Sequence, residues 1–288
     1  MCKECGCGLG GGRKTTGHAH ESHDHHHEHD QAGHDHDRGH RTIALARSLM
    51  EKNDRLADRN RNLFRAKKLL VLNVVSSPGS GKTTFIRETA LKLAGNLRLG
   101  VIVGDLATEN DAARLRTAGI PVVQITTGTV CHLDAEMVWQ AAAQLDLNQL
   151  DVLIIENVGN LVCPADYDLG EDLRVVLLSV TEGEDKPLKY PPMFHSAEVV
   201  IVTKKDLAKA VDFDRHLAIT NLQRISHHAE IFELAAKTGE GMDAWLGFLA
   251  RQHAAVKSAG RSAASHGPIE IPARKWTSLF KIFKMRSG

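Results

Sequence analysis

The sequence has no apolar run of membrane-spanning length, and its first residues lack the apolar core of a secretory signal. Those absences predict a soluble, cytoplasmic protein. Net charge is nearly absent too: 36 Lys and Arg against 35 Asp and Glu leave +1 at pH 7. That balance gives no general nucleic-acid signature, so no nucleic-acid partner is expected. Cysteine is scarce and odd in number, with five in 288 residues. Three crowd the start as Cys2-x-x-Cys5-x-Cys7, and the others are Cys131 and Cys163. Spacing that tight reads as reduced thiols for metal, not as a disulfide framework.

What the sequence does have is concentrated at its ends and in one long alternating middle. Residues 1–17 are Cys, Gly and charge with nothing to bury, which predicts a flexible arm. Cys5 and Cys7 lie close enough to share one ion, and Cys2 can fold over it. Thiolates select Zn²⁺, Ni²⁺ or Cu⁺, and a ligand from the α-amino group would favour a square-planar Ni²⁺ site. A redox pair is the competing reading. Residues 18–40 form a tract carrying His18, His20, His23, His25, His26, His27, His29, His34, His36 and His40 among Asp and Glu. Imidazoles suit Zn, Cu and Ni, and the tract need not fold to bind them. Its interspersed acids distinguish it from a plain polyhistidine tag.

A helix is predicted over 41–67, with Ile43, Leu45, Leu49, Met50, Leu56, Leu63 and Phe64 on one broad apolar face. From 68 to 255 apolar strands alternate with helical segments. Strands are predicted at 69–75, 100–104, 121–125, 151–155, 174–180, 198–203 and 230–234. Helices are predicted at 82–94, 109–118, 134–145, 211–225 and 241–253. Near-continuous Val/Ile/Leu strands with helical crossovers predict an α/β fold: a mainly parallel sheet with helices on both faces. Ligands bind beyond the carboxyl ends of such strands. Residues 256–288 read as a linker and a short basic amphipathic helix, with Trp276, Leu279, Phe280 and Phe283 at helical spacing. Docking on its own domain, on a partner or on anionic membrane stays open for that tail.

The residues after each strand carry the chemistry. After the first come Gly79, Ser80, Gly81, Lys82, Thr83 and Thr84, the core of a phosphate-binding P-loop. Its glycines let backbone N–H groups converge on phosphate oxygens at a helix N-terminus. Lys82 is expected to reach the β- and γ-phosphates, and Thr83 to hold Mg²⁺. Ser76 stands where the motif usually begins with glycine. After the second strand comes Asp105, placed either to reach Mg²⁺ or an attacking water, or to cap the next helix. After the fourth comes Glu156-x-x-Gly159, where GTPases usually carry Asp-x-x-Gly. Gly159 can give its N–H to the γ-phosphate and so sense it. After the sixth comes Thr203-Lys204-Lys205-Asp206, close to the Asn-Lys-x-Asp of GTPases. The Asp206 carboxylate accepts from guanine N1–H and its amine, and the Lys204 stem can lie over the base. Ala236 and Lys237 fit the last base-contacting loop. In this order at strand ends, these pieces predict GTP and GDP as ligands.

A second constellation lies inside the same domain. Cys131 and His132 precede one helix, and Cys163 follows Gly159 closely. A buried cysteine is often only a small hydrophobe. Three soft ligands beside nucleotide-sensing loops instead suggest a metal whose grip changes when a γ-phosphate pulls Gly159.

The P-loop, the Thr127–Ala135 stretch with Cys131-His132-Leu133-Asp134, the Glu156-Asn157-Val158-Gly159-Asn160-Leu161-Val162-Cys163-Pro164 loop and residues 179–191 together resemble the hydrogenase nickel-incorporation GTPase, the HypB family. The likeness spans about 69–250, and the cysteine motif and His tract are similar to that family's metal arms. The resemblance implies a GTP hydrolase that dimerises and helps deliver Ni²⁺ to the [NiFe]-hydrogenase large subunit precursor; slow turnover is expected, since a switch need not be fast and no arginine finger is apparent in the sequence. It implies a small nickel- and zinc-binding accessory protein as partner, and a GTP-linked metal site at the dimer interface using Cys131, His132 and Cys163. Catalytic roles fall to Lys82 and to Asp105 or Glu156. Two other readings stand beside it: a Ni²⁺ or Zn²⁺ store whose nucleotide domain only docks partners, and the related urease-accessory GTPase. The latter lacks the opening cysteine motif.

Overall fold

A computed structural model describes residues 35–263, with side chains described for 47–258. The arm ligands Cys2, Cys5 and Cys7, the tract from His18 to His34, and the tail beyond 263 lie outside the described residues. His36 and His40 fall within a described helix, but their side chains are not described.

Among the described residues seven strands form one sheet in which every pairing is parallel: β1 Leu70–Ser76, β2 Leu99–Asp105, β3 Val122–Thr126, β4 Val152–Glu156, β5 Leu173–Ser179, β6 Val199–Thr203 and β7 Glu230–Glu233. Their order is β3-β2-β4-β1-β5-β6-β7. Parallel neighbours need crossovers, and α2 Lys82–Leu93, α3 Asn110–Thr117, α4 Ala135–Ala142, α5 Lys186–Lys189, α6 Pro191–His195 and α7 Arg215–Ile225 lie in them; α1 Asp35–Ala66 precedes the sheet and α8 Met242–Ala263 follows it.

Side chains alternate along β1 between two cores. Leu70, Leu72 and Val74 pack with Phe85 and Ile86 of α2 and with Trp245 and Phe248 of α8. Leu69 and Val71 meet Phe64 of α1 and Val138 of α4 on the opposite face, while Val75 joins Phe194 and Leu222. β1 is therefore buried throughout, which is why it reads as an apolar run broken only by Asn73 and Ser76. Burial stabilises by about 2 kcal/mol for each large side chain. Trp245 adds an Nε1–H bond to Thr89 at 3.1 Å, satisfying its one buried donor.

α1 departs from its predicted form. It begins at Asp35, inside the His tract. Its buried stripe is Asn53, Ala57, Asn60 and Phe64. Of the predicted apolar face, Leu49 is exposed, and Leu56 and Leu63 are only half-buried. The helix packs on α4, where the Arg59 guanidinium lies 3.6 Å from the Trp139 ring centroid. Other boundaries shift for local reasons. A 3-10 segment over Lys205–Val211 takes the predicted start of α7, and Asp214 caps that helix by accepting from Leu217 N at 2.9 Å. α8 continues past 253 to Ala263, across the boundary expected at 255.

Because β1 lies between β4 and β5, the loop after β1 sits at the middle of the strands' carboxyl edge. The turns after β2, β4 and β6 share that edge.

Candidate functional site

Gly81, at φ 97°, ends the P-loop and sits at the N-cap of α2. Its left-handed backbone turns the chain into the helix, where the first N–H groups have no partner within the helix. Ser76, at the end of β1, is fully buried. Its hydroxyl accepts from Lys82 Nζ at 3.0 Å and lies against the Ser80 hydroxyl. Serine in place of the usual glycine thus adds a neutral acceptor for the lysine inside the loop. Burial lowers the Lys82 pKa, and Glu156 pulls it back towards the charged form.

Glu156 ends β4 and is buried. Its Oε1 accepts from Thr83 Oγ1 at 2.7 Å, while Oε2 has no hydrogen-bond partner. Burial pushes its pKa up to about 7, against the opposing pull of Lys82 and the Thr83 hydrogen bond. A threonine hydroxyl beside a buried carboxylate with an unsatisfied oxygen is the donor set a hard divalent cation such as Mg²⁺ takes.

The loop after β6 grips the P-loop directly. Thr203 Oγ1 donates to Ser80 O at 2.9 Å, and Lys204 Nζ donates to Gly79 O at 2.7 Å. Asp206 is exposed nearby, as a group reading a base edge must be. Ala236 and Lys237 occupy the turn after β7, closed by Gly239 N to Ala235 O at 2.9 Å.

Beside this site the fold gathers three soft ligands. Ligand atoms of Cys131, His132 and Cys163 lie within 4.8 Å of one another, the one such cluster among the described residues. The two sulfurs are 2.8 Å apart. His132 is buried and stacks on Tyr167 with ring centroids 3.9 Å apart. Burial lowers its pKa, keeping the imidazole neutral, and its Nδ1 has no hydrogen-bond partner. Neutral imidazole and paired thiols suit Ni²⁺ or Zn²⁺.

A single loop joins the two sites. It leaves Glu156, passes Gly159, and ends at Cys163. A Cβ added at Gly159 would stand 3.1 Å from Pro78 Cα and N, so this loop runs against the P-loop backbone. Asn157 Oδ1 accepts from Leu133 N at 3.2 Å and Val158 N at 2.9 Å, and Asn160 Nδ2 donates to Cys131 O at 3.3 Å. Both asparagines thus tie the loop to the Cys131-His132 segment.

Residues 70–233 match the family described as CobW/HypB/UreG, nucleotide-binding domain. The chain is 50% identical over 215 residues to the hydrogenase maturation factor HypB of Escherichia coli (strain K12), a match covering 75% of this chain and 74% of that protein. The chain belongs to the HypB family. The Azotobacter vinelandii HypB is 50% identical over 212 residues, covering 74% of this chain and 70% of that one. Among solved structures, Helicobacter pylori HypB in complex with nickel is 42% identical with a TM-score of 0.68, covering 70% of this chain and 95% of that chain. Archaeoglobus fulgidus HypB gives 38% and 0.67, with coverage of 70% and 99%.

In this HypB-family chain Asp105 does not cap α3. Its carboxylate instead accepts from Ala107 N at 3.2 Å and Thr108 Oγ1 at 3.0 Å, and Glu109 holds the N-cap position. Two groups near the phosphate loop are not assigned to the site from the sequence. Lys186 Nζ lies 3.4 Å from Ser77 Oγ, and Asp111 is among the carboxylates acting on Lys82. Both reach the site from separate segments, which spacing along the chain does not reveal. No helix among the described residues is long and apolar enough to cross a membrane.

Proposed function

We propose that the chain is a GTP-hydrolysing nickel metallochaperone that helps load Ni²⁺ into the [NiFe]-hydrogenase large subunit precursor, with GTP state coupled to metal binding and dimerisation. The carrying observation is the loop from Glu156 to Cys163, which touches the phosphate loop at Pro78 and ends at a metal-ligand sulfur. The reaction is GTP plus water to GDP plus phosphate. P-loop amides and Lys82 stabilise phosphate charge; Thr83 and Glu156 would hold Mg²⁺, which would supply further neutralisation of phosphate charge. Either Glu156 or Asp105 orients the water. Asp206 and Lys204 read and cover guanine, flanked by Ala236 and Lys237. Turnover is slow, as suits a switch.

Nickel is the cargo, held by Cys131, His132 and Cys163; the same donors accept Zn²⁺. A homodimer, a small nickel- and zinc-binding accessory protein and the hydrogenase precursor are the partners, in the cytoplasm. A C163A variant tests the coupling. Its residual Ni²⁺ affinity should no longer respond to a non-hydrolysable GTP analogue. A nucleotide effect as large as in the parent protein would sink the reading.

A further inference from the structure

The buried stripe of α1 contains two amides where packing alone would favour apolar side chains. Asn53 and Asn60 lie about two helical turns apart, and both reach across to the backbone. Asn53 Oδ1 accepts from Ala135 N at 3.0 Å, and its Nδ2 donates to Asp168 O at 2.8 Å. Asn60 Nδ2 donates to Ala135 O at 2.8 Å and to Leu169 O at 3.0 Å. α1 therefore holds both backbone polar groups of Ala135, close after His132, together with two carbonyls that follow Cys163. Asn60 Oδ1 is buried without a partner. Two facing carbonyls fix the orientation of its amide, since the flipped form would set oxygen against oxygen.

The same helix face is pressed against the loop beyond Cys163. Gly170 has φ +91°, and a Cβ there would stand 2.7 Å from Ala57 O and 2.7 Å from Asn60 Cβ. Arg61 adds paired bonds of 2.7 and 2.6 Å to Asp168, whose Oδ1 also accepts from Gly170 N at 2.8 Å. Two segments far apart in sequence, one bearing Cys131 and His132 and the other Cys163, are thus bonded to one rigid rod.

We propose that Asn53 and Asn60 are positioning residues for the Cys131–His132–Cys163 site: α1 straps the two ligand-bearing segments together and sets the spacing of the sulfurs. This rests on the reading that the cluster takes metal. Groups that orient metal ligands from behind are commonly worth about tenfold or more in metal affinity. None of the strap's hydrogen-bond partners belongs to the phosphate loop, so its loss should act on metal and spare hydrolysis.

The test uses the full chain carrying C2S/C5S/C7S, so that thiolate-to-nickel absorbance reports on Cys131 and Cys163 alone. In N60L, with the same side-chain branching and heavy-atom count but without donors, the Ni²⁺ concentration at half-saturation in GDP should rise about tenfold. The band should change shape, while GTP turnover stays within about twofold. An N60L protein with native circular dichroism and an unchanged band and midpoint would overturn the proposal, whatever its thermal stability. If N60L does not fold, N53L is judged by the same criteria, since it leaves both Asn60 bonds in place. Absence of the band in the parent chain would overturn the metal reading itself. A band present but unmoved in the variants overturns only the strap.

Discussion

Cys131 and Cys163, 32 positions apart in sequence, bring their sulfurs to 2.8 Å from each other beside the buried ring of His132. Sulfurs that close act as one chelating unit, so an ion taken by the pair should shield both thiols together. With Zn²⁺ or Ni²⁺ added, alkylation of Cys131 and Cys163 should slow in concert by about tenfold or more, read residue by residue by mass spectrometry. Protection of one thiol without the other would mean that the pair does not bind as a unit.

The contact of Gly159 with Pro78 is tight. In G159A the new methyl would stand 3.1 Å from the Pro78 backbone, so the loop and the phosphate loop must shift apart by a few tenths of an ångström. Misplacement of this kind costs about tenfold to a hundredfold in rate. Phosphate release should fall accordingly, while GDP affinity, which does not use the γ-phosphate contact, should change by less than about threefold. Equal losses in both would place Gly159 in general nucleotide binding instead.

Glu156 couples the site to pH. Its pKa rises from 4.5 in the unfolded chain to about 7 in the fold, chiefly through burial. The folded state therefore favours the neutral acid. That contribution is complete below about 4.5 and is lost as pH rises through about 7. Without nucleotide or Mg²⁺, E156Q should melt above the parent protein at pH 8 and close to it at pH 5. The opposite order would show that the carboxylate is stabilised in its charged form. Mg²⁺ needs that charged form, so Mg²⁺ affinity in the parent protein should strengthen as pH rises through 7.

The proposed function gives base selectivity to Asp206. Its carboxylate can accept from both donors on the guanine edge; an asparagine can accept one and must oppose the other with its own N–H groups. D206N should lose about a hundredfold in GTP affinity, the scale of one or two charge-assisted hydrogen bonds. It should also gain relative affinity for xanthosine triphosphate, which carries a carbonyl where guanine has the amine. Competition binding measures both, and unchanged GTP affinity would remove Asp206 from recognition.

The sheet and its strand-end residues were legible in the sequence because their chemistry demands fixed residue types at fixed places. A buried parallel strand is mostly apolar, and β1 is so apart from Asn73 and Ser76. A phosphate loop needs its glycines and lysine directly after such a strand, so Lys82 and Thr83 fall where spacing predicts. Cys131, His132 and Cys163 could be suspected together because thiols and imidazole beside nucleotide loops are uncommon as mere packing. α1 was misread for the complementary reason. Hydrophobic periodicity counts apolar side chains; of its choices Phe64 is buried, but Leu49 is exposed and Leu56 and Leu63 are only half-buried. The helix buries Asn53 and Asn60 instead, because Ala135, Asp168 and Leu169 present backbone groups that must be bonded once water is excluded. The position of those groups is a property of the folded chain, and local pattern does not encode it. The hydroxyl of Ser76 is a similar case: sequence shows a missing glycine, while the structure shows an acceptor for Lys82.

The most direct measurement compares Ni²⁺ affinity at the Cys131–His132–Cys163 site in GDP and in a non-hydrolysable GTP analogue. It uses the full chain with C2S/C5S/C7S and reads thiolate-to-nickel absorbance. Coupling through the Glu156-to-Cys163 loop predicts affinities that differ by about tenfold or more between the two nucleotides, a coupling free energy of about 1.4 kcal/mol. Equal affinities in the two states would contradict it.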